Sequence, residues 1–215
     1  MSKLKLGIII GTTRSNRFGD KPAEWIAERA RATGEFEVEI LDLRDYKLPL
    51  FEEQASPAWA PSEAPGAKAW QDKIASLDAY IATAAEYNHA PTGVLKNALD
   101  YAYREWNNKP ISFVGYGGVG GARAVEQLRM IAVELEMAPI RNAVHILWTD
   151  YMQIASGEKK ISDLEHLNQA ADGVLSQLAW WGKALKAARN EGSSLKLAPD
   201  LKLEHVSRKW EPVSG

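Results

Sequence analysis

Residues 11–19, Gly-Thr-Thr-Arg-Ser-Asn-Arg-Phe-Gly, crowd hydroxyl, amide and guanidinium groups into one short loop. Such groups surround small anions well. Hydroxyls and backbone N–H groups donate at short range, and a guanidinium pairs with phosphate oxygens two at a time. Thr12, Arg14, Asn16 and Arg17 supply side-chain donors, and Gly19 lets backbone approach a ligand. Asp20-Lys-Pro22 then opens a helix whose N-terminus adds the positive end of its dipole. The loop contains neither G-x-x-x-x-G-K-[ST] nor G-x-G-x-x-G, which disfavours a nucleoside triphosphate or a dinucleotide pyrophosphate here. The set suits one terminal monophosphate. A solvated turn capping a helix would use similar residues. The run Leu4 to Ile10 before it, however, reads as a strand buried on both faces, and open α/β sheets bind ligands beyond the carboxyl ends of their strands.

The elements that must position this loop alternate along the chain. A helix from Lys21 to Thr33, stopped by Gly34, precedes a second strand from Phe36 to Leu43. Ala67 to Leu77 reads as a helix, Ala79 to Ala84 as a third strand, Val94 to Trp106 as a helix and Ile111 to Tyr116 as a fourth strand. A helix from Gly120 to Glu136, an interrupted fifth strand from Ile140 to Trp148 and a long helix from Asp163 to Ala188 complete the order. This alternation predicts an α/β fold, a doubly wound five-stranded parallel sheet of order 2-1-3-4-5 inside three α/β/α layers. The proline-rich segment from Arg44 to Pro65 is expected to be an ordered excursion near the ligand. Residues 1–189 read as one domain and 190–215 as a tail, whose Leu201, Leu203, Val206 and Trp210 suit packing on a neighbouring subunit.

Composition narrows the chemistry. With 215 residues, 46% of them hydrophobic, the chain can bury a full core. A net charge of −2 argues against nucleic-acid binding, which leaves a basic footprint. No cysteine is present, so disulfides, thiolate nucleophiles and cysteine-held metals are excluded, and any redox chemistry must come from a bound cofactor. The amino terminus lacks a signal-peptide layout and no apolar run reaches the ~18 residues of a membrane helix, so a cytoplasmic location without membrane contact is expected.

Two further loops follow strands three and four. Residues 86–100, Glu-Tyr-Asn-His-Ala-Pro-Thr-Gly-Val-Leu-Lys-Asn-Ala-Leu-Asp, offer an aromatic surface and amides, and residues 115–121, Gly-Tyr-Gly-Gly-Val-Gly-Gly, offer backbone N–H groups unobstructed by side chains. With residues 11–19, these motifs resemble the NADPH-dependent FMN reductase family, flavodoxin-like NAD(P)H-dependent flavin and quinone reductases, in the family's order and spacing. The resemblance spans about residues 4–180 and rests most on the second motif. It implies that Thr12, Arg14, Asn16, Arg17, Phe18 and Gly19 hold the FMN phosphate. It also implies that Glu86, Tyr87 and Asn88 line the ribityl chain and isoalloxazine, and that Gly117, Gly118 and Val119 pass backbone beneath the ring. NADPH or NADH is then the electron donor and a small molecule (flavin, quinone, azo compound or metal oxyanion) the acceptor. No side chain is assigned as a catalytic acid or base. A homodimer or homotetramer is implied as well.

The chain departs from the family at Ala85, where members usually carry proline before the glutamate. The alternative functions are a non-enzymatic flavodoxin-like electron carrier and a flavin-binding regulatory protein. Gly115, Gly117 and Gly120 match G-x-G-x-x-G, but residues 140–148 contain no acid to bind a ribose, so the match reads as incidental. His89 could cap the following helix or touch the flavin. Lys96 and Asp100 suit a surface pair, and Trp70, Trp106, Trp180 and Trp181 suit core or interface positions.

Overall fold

The structure, a computed structural model, describes residues 3–60 and 62–192. Four full strands run parallel: β1 (Leu4–Ile10), β2 (Phe36–Asp42), β3 (Ala79–Ala85) and β4 (Pro110–Tyr116). The fifth position is shared by two short segments, β5 (Ala138–Pro139) and β6 (Val144–Ile146), both paired parallel to β4. The sheet order is β2-β1-β3-β4-β5. The expected flavodoxin-like order is therefore observed. β3 and β4 are buried along their whole length, as strands covered on both faces must be.

Each face has its own apolar layer. Ile8, Ile81 and Val114 meet α1 (Asp20–Ala32) and the long α7 (Glu165–Gly192) on one side. Ile9, Ala82 and Phe113 meet α3 (Ala67–Ala75), α4 (Gly93–Asp100) and α5 (Ala122–Glu134) on the other. Trp70 and Trp106 are fully buried in this second layer, whereas Trp180 and Trp181 stand on the exposed face of α7. Short helices α2 (Leu43–Tyr46) and α6 (Trp148–Ala155) complete the described elements, together with a 3-10 turn at Ile161–Asp163.

Beyond shifts of a few residues at element ends, three features differ from the sequence reading, each for a physical reason. The helix expected from Val94 to Trp106 stops at Asp100, because indole N–H groups of Trp70 and Trp106 take the carbonyls of Ala98 (2.7 Å) and Leu99 (3.3 Å). Tertiary donors thus replace the next helical turn. The expected fifth strand is split because Asn142 is pulled out of line: its N–H donates to Gln177 (2.9 Å), its amide to the Gly173 carbonyl (3.0 Å), and its carbonyl accepts from Ser112 (2.8 Å). Trp148 does not end a strand; it begins α6, an element the sequence reading left out.

None of the described residues in the excursion from Arg44 to Pro65 lines the cleft between the ligand loops. Phe51 N–H donates to Asn97 Oδ1 (2.8 Å) and Asn97 Nδ2 donates to the Pro49 carbonyl (2.6 Å), which ties it to α4. The proposed tail falls almost wholly outside the described residues, and α7 continues to Gly192, past the expected boundary at 189.

Candidate functional site

Loops after β1, β3 and β4 converge at the carboxyl edge of the sheet and enclose a cleft of about 480 Å³. Gly11 sets the exit of the first loop. A Cβ there would lie 2.2 Å from the Thr83 carbonyl oxygen, so only glycine allows β1 and β3 to run this close. The Gly11 N–H donates to Thr83 Oγ1 (3.1 Å), and the Thr92 hydroxyl donates to the Gly11 carbonyl. Thr92 also accepts from the Leu95 N–H (3.2 Å) as the N-cap of α4. One threonine therefore fixes the phosphate-type loop to the start of a neighbouring helix.

Inside that loop the two arginines play different parts. Arg17 is 2% exposed at its side chain and is locked internally: Nη1 and Nη2 meet the two Asp42 oxygens at 2.7 and 2.5 Å, Nε donates to Asp20 (2.8 Å), and Nη1 also donates to the Thr12 carbonyl (2.8 Å). Its hydrogen bond to Asp42 raises the guanidinium pKa further and holds the Asp42 carboxyl well below the usual range. Arg14 is exposed and lies over the Tyr87 ring, 5.9 Å from its centroid. The backbone N–H groups of Thr13, Arg14, Ser15 and Asn16 have no partner among the described residues, so they remain available to an anion.

The loop after β3 is shaped by a tight turn. Asn88 and His89 take positive φ values of 51° and 71°, and Tyr87 and Ala90 exchange backbone hydrogen bonds at 2.9 and 3.1 Å. Tyr87 reaches across to share a hydrogen bond with Thr12 Oγ1 (3.2 Å). Glu86 is 3% exposed at its side chain and accepts from Arg123 Nε (2.6 Å) and from the Arg123 N–H (3.1 Å) at the start of α5. His89 does not cap α4; its Nε2 meets Arg123 Nη1 at 2.7 Å. Lys96 and Asp100 form the expected surface pair (2.6 Å).

The glycine loop after β4 turns through Gly117 at φ 146°, where a Cβ would sit 3.1 Å from Glu86 Cβ. Gly118 and Val119 keep N–H groups without partners among the described residues. Thr12, Arg14, Asn16, Arg17, Phe18, Glu86, Tyr87, Gly117 and Gly118 all line the cleft. Gly19, Asn88 and Val119 stand behind or beside it: Gly19 caps α1, Asn88 makes the turn, and Val119 is exposed at the loop tip.

Ala85, Tyr116, Trp148 and Tyr151 also line the cleft. The last two come from α6, and a signal for them was present: Leu147, Tyr151 and Ile154 fall at i, i+4 and i+7, the helical period. The Tyr116 hydroxyl is buried, makes no hydrogen bond among the described residues and lies under Gly19, 2.8 Å from where a Cβ would be. Burial raises its pKa, so it is a neutral donor without an acceptor. An orphaned phenol, two sets of free N–H groups and aromatic walls together fit a phosphate-bearing flat cofactor.

The comparisons agree with this geometry. The NADPH-dependent FMN reductase family model matches residues 4–148. The chain is 34% identical over 188 residues to the NAD(P)H-dependent FMN reductase ntnL of Nectria sp, covering 82% of this chain and 87% of that one. It is 36% identical over 135 residues to the NAD(P)H-dependent FMN reductase C4B3.06c of Schizosaccharomyces pombe, covering 62% and 68%. In fold it is similar to FerB, a flavoenzyme NAD(P)H:(acceptor) oxidoreductase from Paracoccus denitrificans, with a TM-score of 0.67, 22% identity and coverage of 84% and 98%. From the family match and the relative aligned over most of both chains, this protein belongs to the NADPH-dependent FMN reductase family.

Proposed function

We propose that this protein is an FMN-dependent NAD(P)H oxidoreductase that passes electrons to a small acceptor. The observation that carries the reading is that two loops bearing partnerless N–H groups line one aromatic-walled cleft, in a chain of this family. FMN held there would supply two-electron chemistry between NAD(P)H and the acceptor, the balanced reaction with a quinone being NAD(P)H, a proton and the quinone to NAD(P)+ and the hydroquinone.

The residues divide the work of holding that cofactor. Thr12, Arg14, Asn16 and the N–H groups of Thr13 to Asn16 bind the phosphate, with the α1 N-terminus behind them. Arg17 acts by bracing the loop through Asp42 and Asp20, and Phe18 and Gly19 shape its floor over Tyr116. Tyr87, Asn88 and Glu86 line the ribityl and ring side. Gly117, Gly118 and Val119 offer backbone to the ring's polar edge. The reading places the protein in the cytoplasm as a homodimer or homotetramer, and the exposed Val94, Met130 and Val133 on α4 and α5 support an interface there.

Titration of the apoprotein with FMN and with riboflavin tests the assignment of the loop. FMN is expected to bind at least about 100-fold tighter, since the charge-assisted contacts to the phosphate contribute about 3 kcal/mol or more. Equal affinities would refute a phosphate site in residues 12–19.

A further inference from the structure

His145 is absent from the cleft lining, yet it holds one of the loops that form the cleft. It lies in β6, which pairs with β4 alone. Its neighbours Val144 and Ile146 are fully buried in the layer under α1 and α7, so alternation along the strand points the imidazole to the opposite face, toward the start of α5. In register His145 stands beside Gly115 of β4. Because Gly115 has no side chain, the loop between β4 and α5 descends onto this spot: a Cβ on Gly115 would lie 2.6 Å from the Gly120 carbonyl oxygen. That same oxygen is 2.9 Å from His145 Nδ1.

A carbonyl only accepts, so Nδ1 carries the proton and donates in either charge state of the ring. Gly120 is buried, and no other donor among the described residues reaches its carbonyl. The backbone has few other constraints here. Gly120 and Gly121 take φ values of 66° and 70°, and a peptide plane between two glycines turns easily unless its polar groups are held. The Gly120 N–H closes a turn on the Gly117 carbonyl (3.1 Å), and Gly118 and Val119, with their partnerless N–H groups, form the middle of that turn. Gly120 therefore closes the turn with its N–H while His145 holds its carbonyl.

We propose that His145 is a positioning residue for flavin binding: its Nδ1–H fixes the Gly120–Gly121 peptide and so presents the Gly118 and Val119 N–H groups to the isoalloxazine ring, a role that rests on the FMN reading above. It acts through the loop, from the side away from the cleft.

The test compares wild type, His145→Asn and His145→Leu as full-length apoproteins. Asn places an amide N–H where the imidazole Nδ1–H stands; Leu keeps apolar bulk and has no donor. Quenching of flavin fluorescence gives Kd values for FMN and for riboflavin, and hydrogen exchange of the Gly120 and Ala122 amides, which close the loop, follows it without any ligand. In His145→Leu these amides should exchange about tenfold faster. Both flavins should bind about tenfold more weakly, since the buried carbonyl left without a donor turns toward water and must be turned back on binding. The ratio of the two affinities should not move, because the phosphate loop is untouched. His145→Asn should stay within about threefold of wild type in every readout. A loss of about tenfold in flavin affinity in His145→Asn would overturn the donor role, as would an unchanged riboflavin Kd in His145→Leu or a loss confined to FMN. Failure of the wild type to bind either flavin would refute the FMN reading itself, whereas faster exchange confined to His145→Leu would still show the imidazole holding the loop.

Discussion

Asp42→Asn removes one charge from the brace beneath the phosphate loop while keeping the side chain's shape. Its partner Arg17 stays charged, because a guanidinium does not deprotonate in a protein, and its side chain is 2% exposed. Breaking a buried pair from one side costs about 3–5 kcal/mol. Here Asp20 still accepts from Nε at 2.8 Å and the Thr12 carbonyl from Nη1 at 2.8 Å, so the lower end, about 3 kcal/mol, is expected. Urea unfolding followed by tryptophan fluorescence at neutral pH measures it. The pH dependence gives a second reading. Asp42's carboxyl titrates below its unfolded value of 3.8, so its contribution is fully present above about pH 4 and is lost as pH falls further. Wild type should therefore lose more stability between about pH 4 and 2 than Asp42→Asn does. Asp20→Asn, at an exposed carboxylate, should cost less than about 1 kcal/mol. A variant Asp42→Asn within about 0.5 kcal/mol of wild type, with an unaltered acid slope, would refute the argument that this pair braces the loop.

Three other substitutions probe the site's supports. Tyr116→Phe removes a buried hydroxyl that has no partner in the described chain, so the apoprotein should gain about 1 kcal/mol or more in thermal unfolding measurements; a loss of that size would show a hidden partner. Thr92→Ala deletes both the α4 cap and the bond to Gly11, and chemical denaturation should show a cost of about 2 kcal/mol, with weaker FMN binding by fluorescence titration. Gly11→Ala would drive a Cβ into the Thr83 carbonyl at 2.2 Å; a cost of about 3 kcal/mol is expected by the same method, and wild-type stability would contradict the close approach of β1 and β3.

Much of this arrangement was legible in the residues. The apolar run before Gly11 and the alternation that follows predicted a parallel α/β sheet, since buried parallel strands and amphipathic helices leave strong local patterns, and the order expected for that class is the one observed. The cleft-lining residues of the first loop followed from their side-chain chemistry. What could not be read was tertiary in origin. Nothing local showed that Arg17 would turn inward to Asp42, a partner 25 positions away. Nor did the helical pattern near Trp106 reveal that two indoles would end α4 at Asp100. Tyr116 looked like an ordinary strand residue, and its unpartnered hydroxyl is visible only once Gly19 lies over it. The α6 wall was missed because Leu147, Trp148 and Tyr151 were absorbed into or beside an expected strand, whereas the ladder on β4 ends at Ile146 and the chain turns into a helix at Trp148.

The most direct test of the central claim is the visible absorption spectrum of the FMN-reconstituted protein during anaerobic addition of NADPH. The account predicts that protein-bound flavin bleaches with one NADPH per FMN and recovers its colour when a quinone is added. Flavin that binds but stays oxidised under NADPH would mark an electron carrier, and protein that fails to retain FMN would contradict the site itself.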